Sequence, residues 1–439
     1  MAYTFKGGVH VTEHKNTAKK KVEQLPLPKS VSIPLLQHIG APCKALVKAG
    51  DKVLKGQVIA DVEGGLGCPV HSSVSGTVKE IVFKRNAMGV NIEHVVIESD
   101  GLDVYAPEIT YTDRVLEETS AEEITAIVRS AGISGMGGAT FPTYAKISSA
   151  LGKVDVMIIN AAECEPFITA NNRLLIEHPE AVIKGTRVLL RAFGLPRAII
   201  AIEDNKPTAI QIMTALTAEC EDIEVKVVKT KYPQGDERQL IFALTGRELP
   251  QGKLPADIGC VVFNAETASS VFRAFNSNMP LIERIVTVDG DCVKEPKNIM
   301  APIGTSYREL IEFCGGLVKT PKTIINGGPM MGFAQWDIDA PITKGTSAVL
   351  ILSEDINRSY EQPHECIHCG RCVNGCPMHL MPNYISAFSR KGMYDEAGEF
   401  GALSCVECGS CSYVCPSHVP IVQYIRVAKT ALNLKNKRK

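Results

Sequence analysis

The sequence has little net charge, a single tryptophan and no long apolar run. Each shortage excludes something. A formal net charge of −1 leaves no global basic field, so no nucleic-acid partner is expected. The best apolar runs, Val154–Ala162 and Ala348–Leu352, have strand length and not the roughly 20 residues that cross a bilayer. Met1–His10 lack an apolar core with a small-residue cleavage site, so no signal peptide is expected. These absences point to a soluble or peripheral chain. Its 439 residues allow three or four domains of ordinary size.

Cysteine is what the chain has in plenty: 15 residues. In an unsecreted chain that number indicates metal ligation or redox chemistry, not disulfides. Eight lie between Cys366 and Cys415. The other seven (Cys43, Cys68, Cys164, Cys220, Cys260, Cys292, Cys314) are scattered singly and read as buried small hydrophobes.

The eight form two copies of C-x2-C-x2-C-x3-C-P: Cys366, Cys369, Cys372, Cys376-Pro, then Cys405, Cys408, Cys411, Cys415-Pro. Three thiolates on one tight loop cap three corners of an Fe4S4 cube, and the fourth reaches the other cube. The spacing therefore assigns Cys366, Cys369, Cys372 and Cys415 to one [4Fe–4S] cluster, and Cys405, Cys408, Cys411 and Cys376 to the second. A pair of zinc ribbons is the bland alternative, and two consecutive runs ending in Cys-Pro speak against it. Between the runs, Met378–Leu403 reads as helical through Tyr384, Ile385, Phe388, Met393 and Phe400, like the α-helical ferredoxins of larger oxidoreductases. His364, His368, His379 and His418 stand nearby, but cysteine fills every ligand position.

From about Tyr111 to Pro280, strand-like and helix-like stretches alternate. Ser120 and Glu123 form a capping box before a helix through Ile124, Ile127 and Val128. Val154–Asn160, Arg197–Ile202 and Val225–Val228 are apolar strands. This order predicts an α/β domain with a largely parallel sheet. Two of its loops carry chemistry. The glycine-rich stretch Gly132–Lys146 lets backbone amides approach a phosphate, with Lys146 as countercharge. Asn160-Ala-Ala-Glu163-Cys-Glu165-Pro166 leaves a strand end, where ligands of open α/β sheets bind.

These blocks resemble the flavoprotein subunit of respiratory complex I. The glycine loop is similar to its G-x-R-G-R-G-G-A-G-F-P-T-G-x-K-W, and Asn160–Pro166 to its N-A-D-E-x-E-P. Tyr232-Pro-Gln-Gly235-Asp236-Glu237 is similar to Y-x-x-G-E-E, and Asn264-Ala-Glu266-Thr267 to N-x-E-T, all in the same order. The resemblance implies an FMN site built from Gly135, Gly137, Gly138, Lys146, Asn160, Glu163, Tyr232, Gly235, Asp236 and Asn264. It implies nicotinamide-nucleotide contacts at Phe141, Glu165 and Glu237, with Glu165 facing the mouth of the site. Met136 stands where complex I has Arg, and Ala162 where it has Asp.

Toward the N-terminus, Gly-Asp and Gly-Gln turns separate short β-branched runs, including Gly50-Asp51, Gly56-Gln57 and Ser75-Gly76-Thr77-Val78. They suggest a barrel-sandwich resembling lipoyl and biotinyl carriers, without the carrier lysine. His10, His38 and His71 read as structural. The whole layout resembles the RnfC family of the Rnf complexes, membrane-bound ferredoxin:NAD+ oxidoreductases. It implies a multidomain α/β and α+β chain: a barrel-sandwich hybrid (1–108), a Rossmann-like FMN/NADH α/β domain (109–280), an SLBB-like β-grasp domain (281–353) and a two-cluster α-helical ferredoxin with a basic tail (354–439). The cofactors implied are two [4Fe–4S] clusters, FMN and NAD(H). The partners implied are membrane and ferredoxin-like Rnf subunits, with peripheral attachment on the cytoplasmic side of the cell membrane. The activity implied is an oxidoreductase and Na+- or H+-translocase working as part of a complex. Cobalamin reductases share this order of domains, and a scaffold with a dead nucleotide site is the non-enzyme alternative. The Lys-rich stretch Lys429–Lys439 reads as a solvated helix end, with anionic lipid as the rival contact.

Overall fold

The computed structural model describes residues 2–356 and 361–437. The first strand, β1 (Val22–Gln24), does not join the barrel that follows. That barrel comprises β2 (Ser30–Pro34), β3 (Lys44–Ala45), β4 (Lys52–Val53), β5 (Val58–Asp61), β6 (Val70–His71), β7 (Gly76–Arg85) and β8 (Asn91–Ser99). Its two sheets, β2-β8-β7-β4 and β3-β5-β6, close over Val31, Ile33, Ile59, Val95 and Ile97. His38 bridges Cys43 and Cys68 inside it, and burial pushes the His71 imidazole down to about 3.

The α/β body runs from α1 (Ala121–Ser130) and α2 (Thr143–Ala150) through β9 (Val156–Ala161), α3 (Ala170–Glu177), α4 (Pro179–Phe193), β10 (Ala198–Glu203), α5 (Pro207–Thr217), β11 (Ile223–Val228), α6 (Glu237–Thr245) and β12 (Cys260–Asn264) to α7 (Ala265–Ser277). The expected Ser120–Glu123 capping box starts α1. Proline at its first position starts α4, and Gly194 at φ 62° ends it. All neighbours in the sheet β11-β10-β9-β12 are parallel. Helices cover both faces, so the strands carry near-continuous apolar runs.

A six-stranded mixed sheet follows, in the order β1-β14-β13-β17-β15-β16. Its members are β13 (Glu283–Asp289), β14 (Lys297–Pro302), β15 (Thr323–Asn326), β16 (Phe333–Gln335) and β17 (Ala348–Leu352), with α8 (Tyr307–Phe313) packed on it. The Arg284–Glu266 ion pair, almost wholly buried, fastens β13 to α7. Lys344 Nζ donates to Pro69 O and Gly132 O, tying this body to the barrel and to the start of the glycine loop.

The C-terminal body holds α9 (Arg371–Asn374), α10 (Pro382–Arg390), α11 (Tyr394–Glu399), α12 (Ser410–Tyr413) and α13 (Ile421–Lys437). Three readings change. The stretch expected as helical between the cysteine runs is two helices, α10 and α11, because Gly392 at φ 72° breaks it. Within the stretch expected as barrel, residues 3–24 add no strand to its two sheets: Tyr3 and Val9 pair with the α/β body, and β1 joins the mixed sheet. Cys164 and Cys220 are only partly buried as residues, although the Cys164 thiol itself is covered and packs beside Val9 and Tyr232. The basic helix end is described as far as Lys437, and 438–439 lie outside the described residues.

Candidate functional site

The two cysteine runs share a backbone as well as a spacing. His368 and Glu407, which precede the second cysteine of each, have φ 54° and 57°. Gly370 and Gly409 follow at 73° and 78°, and His379 and His418, three residues past each closing cysteine, lie at 53° and 50°. Each run thus turns three times through the left-handed region and wraps a short helix, α9 or α12. That winding lets closely spaced cysteines face one centre.

A cavity lies in the second run. Cys376, Cys405, Cys408 and Cys411 all line it, with Pro377, Met378, Leu380, Val422 and Ile425. The cysteine that the spacing sends across from the first run is therefore beside the other three. Among the described residues, no three His, Cys, Asp or Glu side chains converge tightly enough for a single ion. Four thiols lining one cavity suit a cube ligated at its corners. Burial pushes the Cys405 thiol up to about 11, so a bound cluster would have to displace its proton. Of the other set, Cys366 and Cys369 are exposed, Cys372 is buried and Cys415 is partly exposed.

The flavin-type loops gather at the ends of β9 and β12. Gly135 N donates to Phe141 O at 2.9 Å, closing the glycine loop on itself. Met136 N donates to Thr267 Oγ1, which docks the loop on the first turn of α7. Asn264 caps that helix by accepting from Glu266 N, and its side chain stands beside Gly137, where a Cβ would come within 2.9 Å of its Nδ2. A Cβ on Gly138 would meet nothing within 4 Å. Open space therefore lies on the Cβ side of Gly138, in a loop docked on the N-terminus of a thirteen-residue helix, the kind of terminus that favours an anionic group. Lys146 is turned inward: its Nζ donates to Val262 O at 2.6 Å and lies 3.9 Å from Glu237. Asn160 Nδ2 donates to Gly235 O at 2.8 Å, so it links the strand-end loop to the third block. Asp236 caps α6 by accepting from Arg238 N and Gln239 N, and burial raises it to about 6.

The strand-end loop itself is bent. Glu163 and Phe167 have φ 57° and 69°, costly for side chains of their size. Glu163 accepts from Asn171 N and Asn172 N at the start of α3. Glu165 accepts from Met330 N and Met331 N, in the Gly-Gly-Pro-Met-Met-Gly turn of the mixed sheet, and burial raises it to about 7. Its carboxylate thus engages backbone donors of another body. Between them, Cys164 Sγ accepts from Gly235 N at 3.4 Å, and burial raises its thiol.

The two sites meet at Tyr232. Its Oη donates to Cys408 O at 2.8 Å, and Val9, Tyr232 and Cys408 form one small apolar cluster with Cys164 and Met330 beside it. Gln239 Nε2 lies 3.4 Å from Met378 Sδ, adding a second contact between these bodies. Two residues inside the matched blocks gain interest only in the structure. Ser134 and Gln234 are buried, and their side-chain polar atoms have no partner. Buried polar groups ordinarily find a partner, ordered water included, so these two mark places where the loops carry hydrogen-bonding groups that the protein itself does not satisfy.

Family models match along the chain: a barrel-sandwich hybrid domain of the RnfC type over residues 3–102, a Nuo51 FMN-binding domain over 128–273, an SLBB domain over 285–334 and a 4Fe-4S dicluster domain over 358–416. The C subunit of the proton-translocating ferredoxin:NAD(+) oxidoreductase complex of Clostridium ljungdahlii is 46% identical, over 98% of this chain and 94% of its own length. The C subunit of the Na(+)-translocating complex of Acetobacterium woodii is 43% identical over 97% and 96%. The C subunit of the ion-translocating oxidoreductase complex of Rhodobacter capsulatus is 40% identical over 100% and 85%. Among solved structures, an NAD+-reducing [NiFe]-hydrogenase in its H2-reduced state is similar in fold, with TM-score 0.52 and 19% identity, over 72% of this chain and 63% of that one. Near-full-length identity at this level, with all four domain models in order, makes the chain a member of the RnfC family, the C subunits of ion-translocating ferredoxin:NAD(+) oxidoreductase complexes.

Proposed function

We infer that this chain is the NAD(H)-facing subunit of an ion-translocating ferredoxin:NAD+ oxidoreductase. It passes electrons between a nicotinamide, FMN and two [4Fe–4S] clusters. The single observation that carries this reading is the junction at Tyr232. A residue of the flavin-type blocks donates a hydrogen bond to the backbone of a cysteine lining the buried thiol cavity. Residues 109–280 hold the nucleotide chemistry, and the cysteines of 354–439 carry electrons onward.

Within that reading, the amides of Gly135, Gly137 and Gly138 take the flavin phosphate, beside the first turn of α7. Asn160, Tyr232, Gly235, Asp236 and Asn264 line the flavin, and Phe141, Glu165 and Glu237 serve the nicotinamide nucleotide. Bound FMN supplies the conversion between a two-electron hydride donor and one-electron centres, which a nicotinamide does not manage unaided. The protein supplies orientation and a dry path. Cys376, Cys405, Cys408 and Cys411 hold the cluster nearer the flavin loops; Cys366, Cys369, Cys372 and Cys415 hold the outer one. Among the described residues, no helix is long and apolar enough to cross a membrane. Attachment on the cytoplasmic side then runs through the membrane and ferredoxin-like subunits of the complex.

The test is an anaerobic NADH titration of the isolated chain, with iron, sulfide and flavin assayed beforehand. Reduction of the cluster absorbance by NADH supports the reading. A chain with full clusters and FMN that dithionite reduces and NADH does not is a scaffold with a dead nucleotide site.

A further inference from the structure

The segment before the barrel runs past the edge of β11, Tyr232, the thiol cavity and the strand-end loop. Tyr3 joins the edge of β11 through hydrogen bonds with Val227 O and Lys229 N. Val9 and Tyr232 exchange both backbone hydrogen bonds, at 2.8 and 2.9 Å. Gly7, at φ 76°, lies so near the thiol cavity that a Cβ would fall 2.5 Å from Cys376 O. Glu13 O then accepts from Phe167 N, and the His14 ring stacks on Phe167 at 4.8 Å.

Lys15 ends this path inside the strand-end loop. Its Nζ donates to three carbonyls at once: Glu163 O at 2.9 Å, Glu165 O at 2.8 Å and Ile168 O at 2.6 Å. An ammonium has three donors, and all three are spent on one stretch of six residues. No helix or sheet satisfies those carbonyls, and the loop they belong to holds Glu163 and Phe167 at positive φ. Such backbone strain persists only where the surroundings fix it. The side chains of Glu163 and Glu165 and the ring of Phe167 are each held from outside the loop, and Lys15 is the group that gathers its carbonyls, with Glu163, Glu203, Lys206 and Cys164 as its charged and titratable neighbours.

We propose that Lys15 is a positioning residue of the redox site. Its ammonium sets the curvature of Glu163–Ile168, and through that curvature the placement of Cys164 and Glu165 against the Tyr232–Glu237 loop and the buried thiol cavity. The segment carrying Lys15 also touches Cys376 and Tyr232, so one stretch of chain gauges the spacing between nucleotide site and inner cluster. This rests on the functional reading above. It adds a residue that none of the four matched blocks contains.

The experiment compares wild type with Lys15→Met and Lys15→Arg as full-length, cluster-loaded chains. Lys15→Met is expected to weaken FMN binding, read by flavin fluorescence quenching, by on the order of tenfold. It is also expected to speed amide exchange across 163–168. Iron content and full reduction by dithionite stay unchanged. Lys15→Arg keeps the charge, but a planar fork does not aim at three converging carbonyls, so it restores these readouts only in part. Wild-type FMN affinity and wild-type exchange in Lys15→Met would overturn the proposal. Should Lys15→Met lose its iron, wild type alone decides: FMN must protect 13–17 and 163–168 together, and protection of the loop without the segment refutes the coupling. Failure of wild type to bind FMN at all would instead defeat the functional reading, leaving Lys15 to be judged by loop exchange in the variant.

Discussion

The two cysteine runs have the same spacing and the same left-handed turns, yet they lie in opposite surroundings. Cys366 and Cys369 are exposed, beside an Ile367 that is 66% accessible. Cys408 is buried under Tyr232, Val9 and Met330, and Cys411 among Ile385, Val422 and Ile425. Sequence spacing specifies what each run ligates, and packing specifies what each ligated group can reach. On the proposed reading, a cluster in the covered run exchanges electrons within its own protein. The open run turns Cys366 and Cys369 outward, while Cys372 and Cys376 are buried.

Substitution of Cys376 tests the comparison most severely. Cys376→Ala, although in the open run, is expected to lose the covered cluster and to lower iron from about eight to about four per chain. Iron analysis with EPR checks this, and damage confined to the open cluster would undo the crossed assignment. Gly138→Val comes next and separates both clusters from the flavin loop. Its side chain enters open space, so folding and iron are expected intact, while FMN affinity falls at least about a hundredfold; fluorescence titration reads it. Gly137→Val is the less clean variant, because its side chain also meets Asn264.

A smaller effect concerns rates. An iron chelator with mild oxidant should bleach the clusters in two phases, the open one first, and mass spectrometry of alkylated cysteines should show Cys366 and Cys369 labelled early. Equal labelling of Cys408 would mean that the covering layer opens freely. The smallest effect belongs to Glu165, on the covered side. Its carboxyl is raised to about 7 from an ordinary 4.5. The folded chain therefore binds that proton more tightly than the unfolded chain. Stability from this group is full below about 4.5 and is lost as pH rises through 7. Glu165→Gln should flatten that slope in thermal denaturation measured across this range.

The cysteine motifs that fix the proposed cluster ligands were legible because their geometry is local: eleven consecutive residues carry four cysteines. The parallel sheet was equally legible from runs such as Met157-Ile158-Ile159, and the capping box at Ser120 from two residues. Glu165 was legible as a strand-end carboxylate, but not its hydrogen bonds to Met330 and Met331, whose register depends on another body. Lys15 carried no signal at all. Its acceptors are backbone carbonyls some 150 residues away, and every residue type has one. Ser134 and Gln234 sat inside quoted motifs, yet only their burial without partners marks them.

The path of residues 3–24 also bears on how the protein is made. This stretch is synthesised well before its pairing partners: Tyr232, then Asn298–Met300 for β1, then Cys376. Domains usually fold in the order of synthesis. Here residues 3–24 must wait, without these partners, until Cys376 has been synthesised. Contacts of such long sequence separation form slowly. Docking of the N-terminal stretch is then a closing event of maturation, and it completes the redox junction only after the cysteine-rich end has been synthesised.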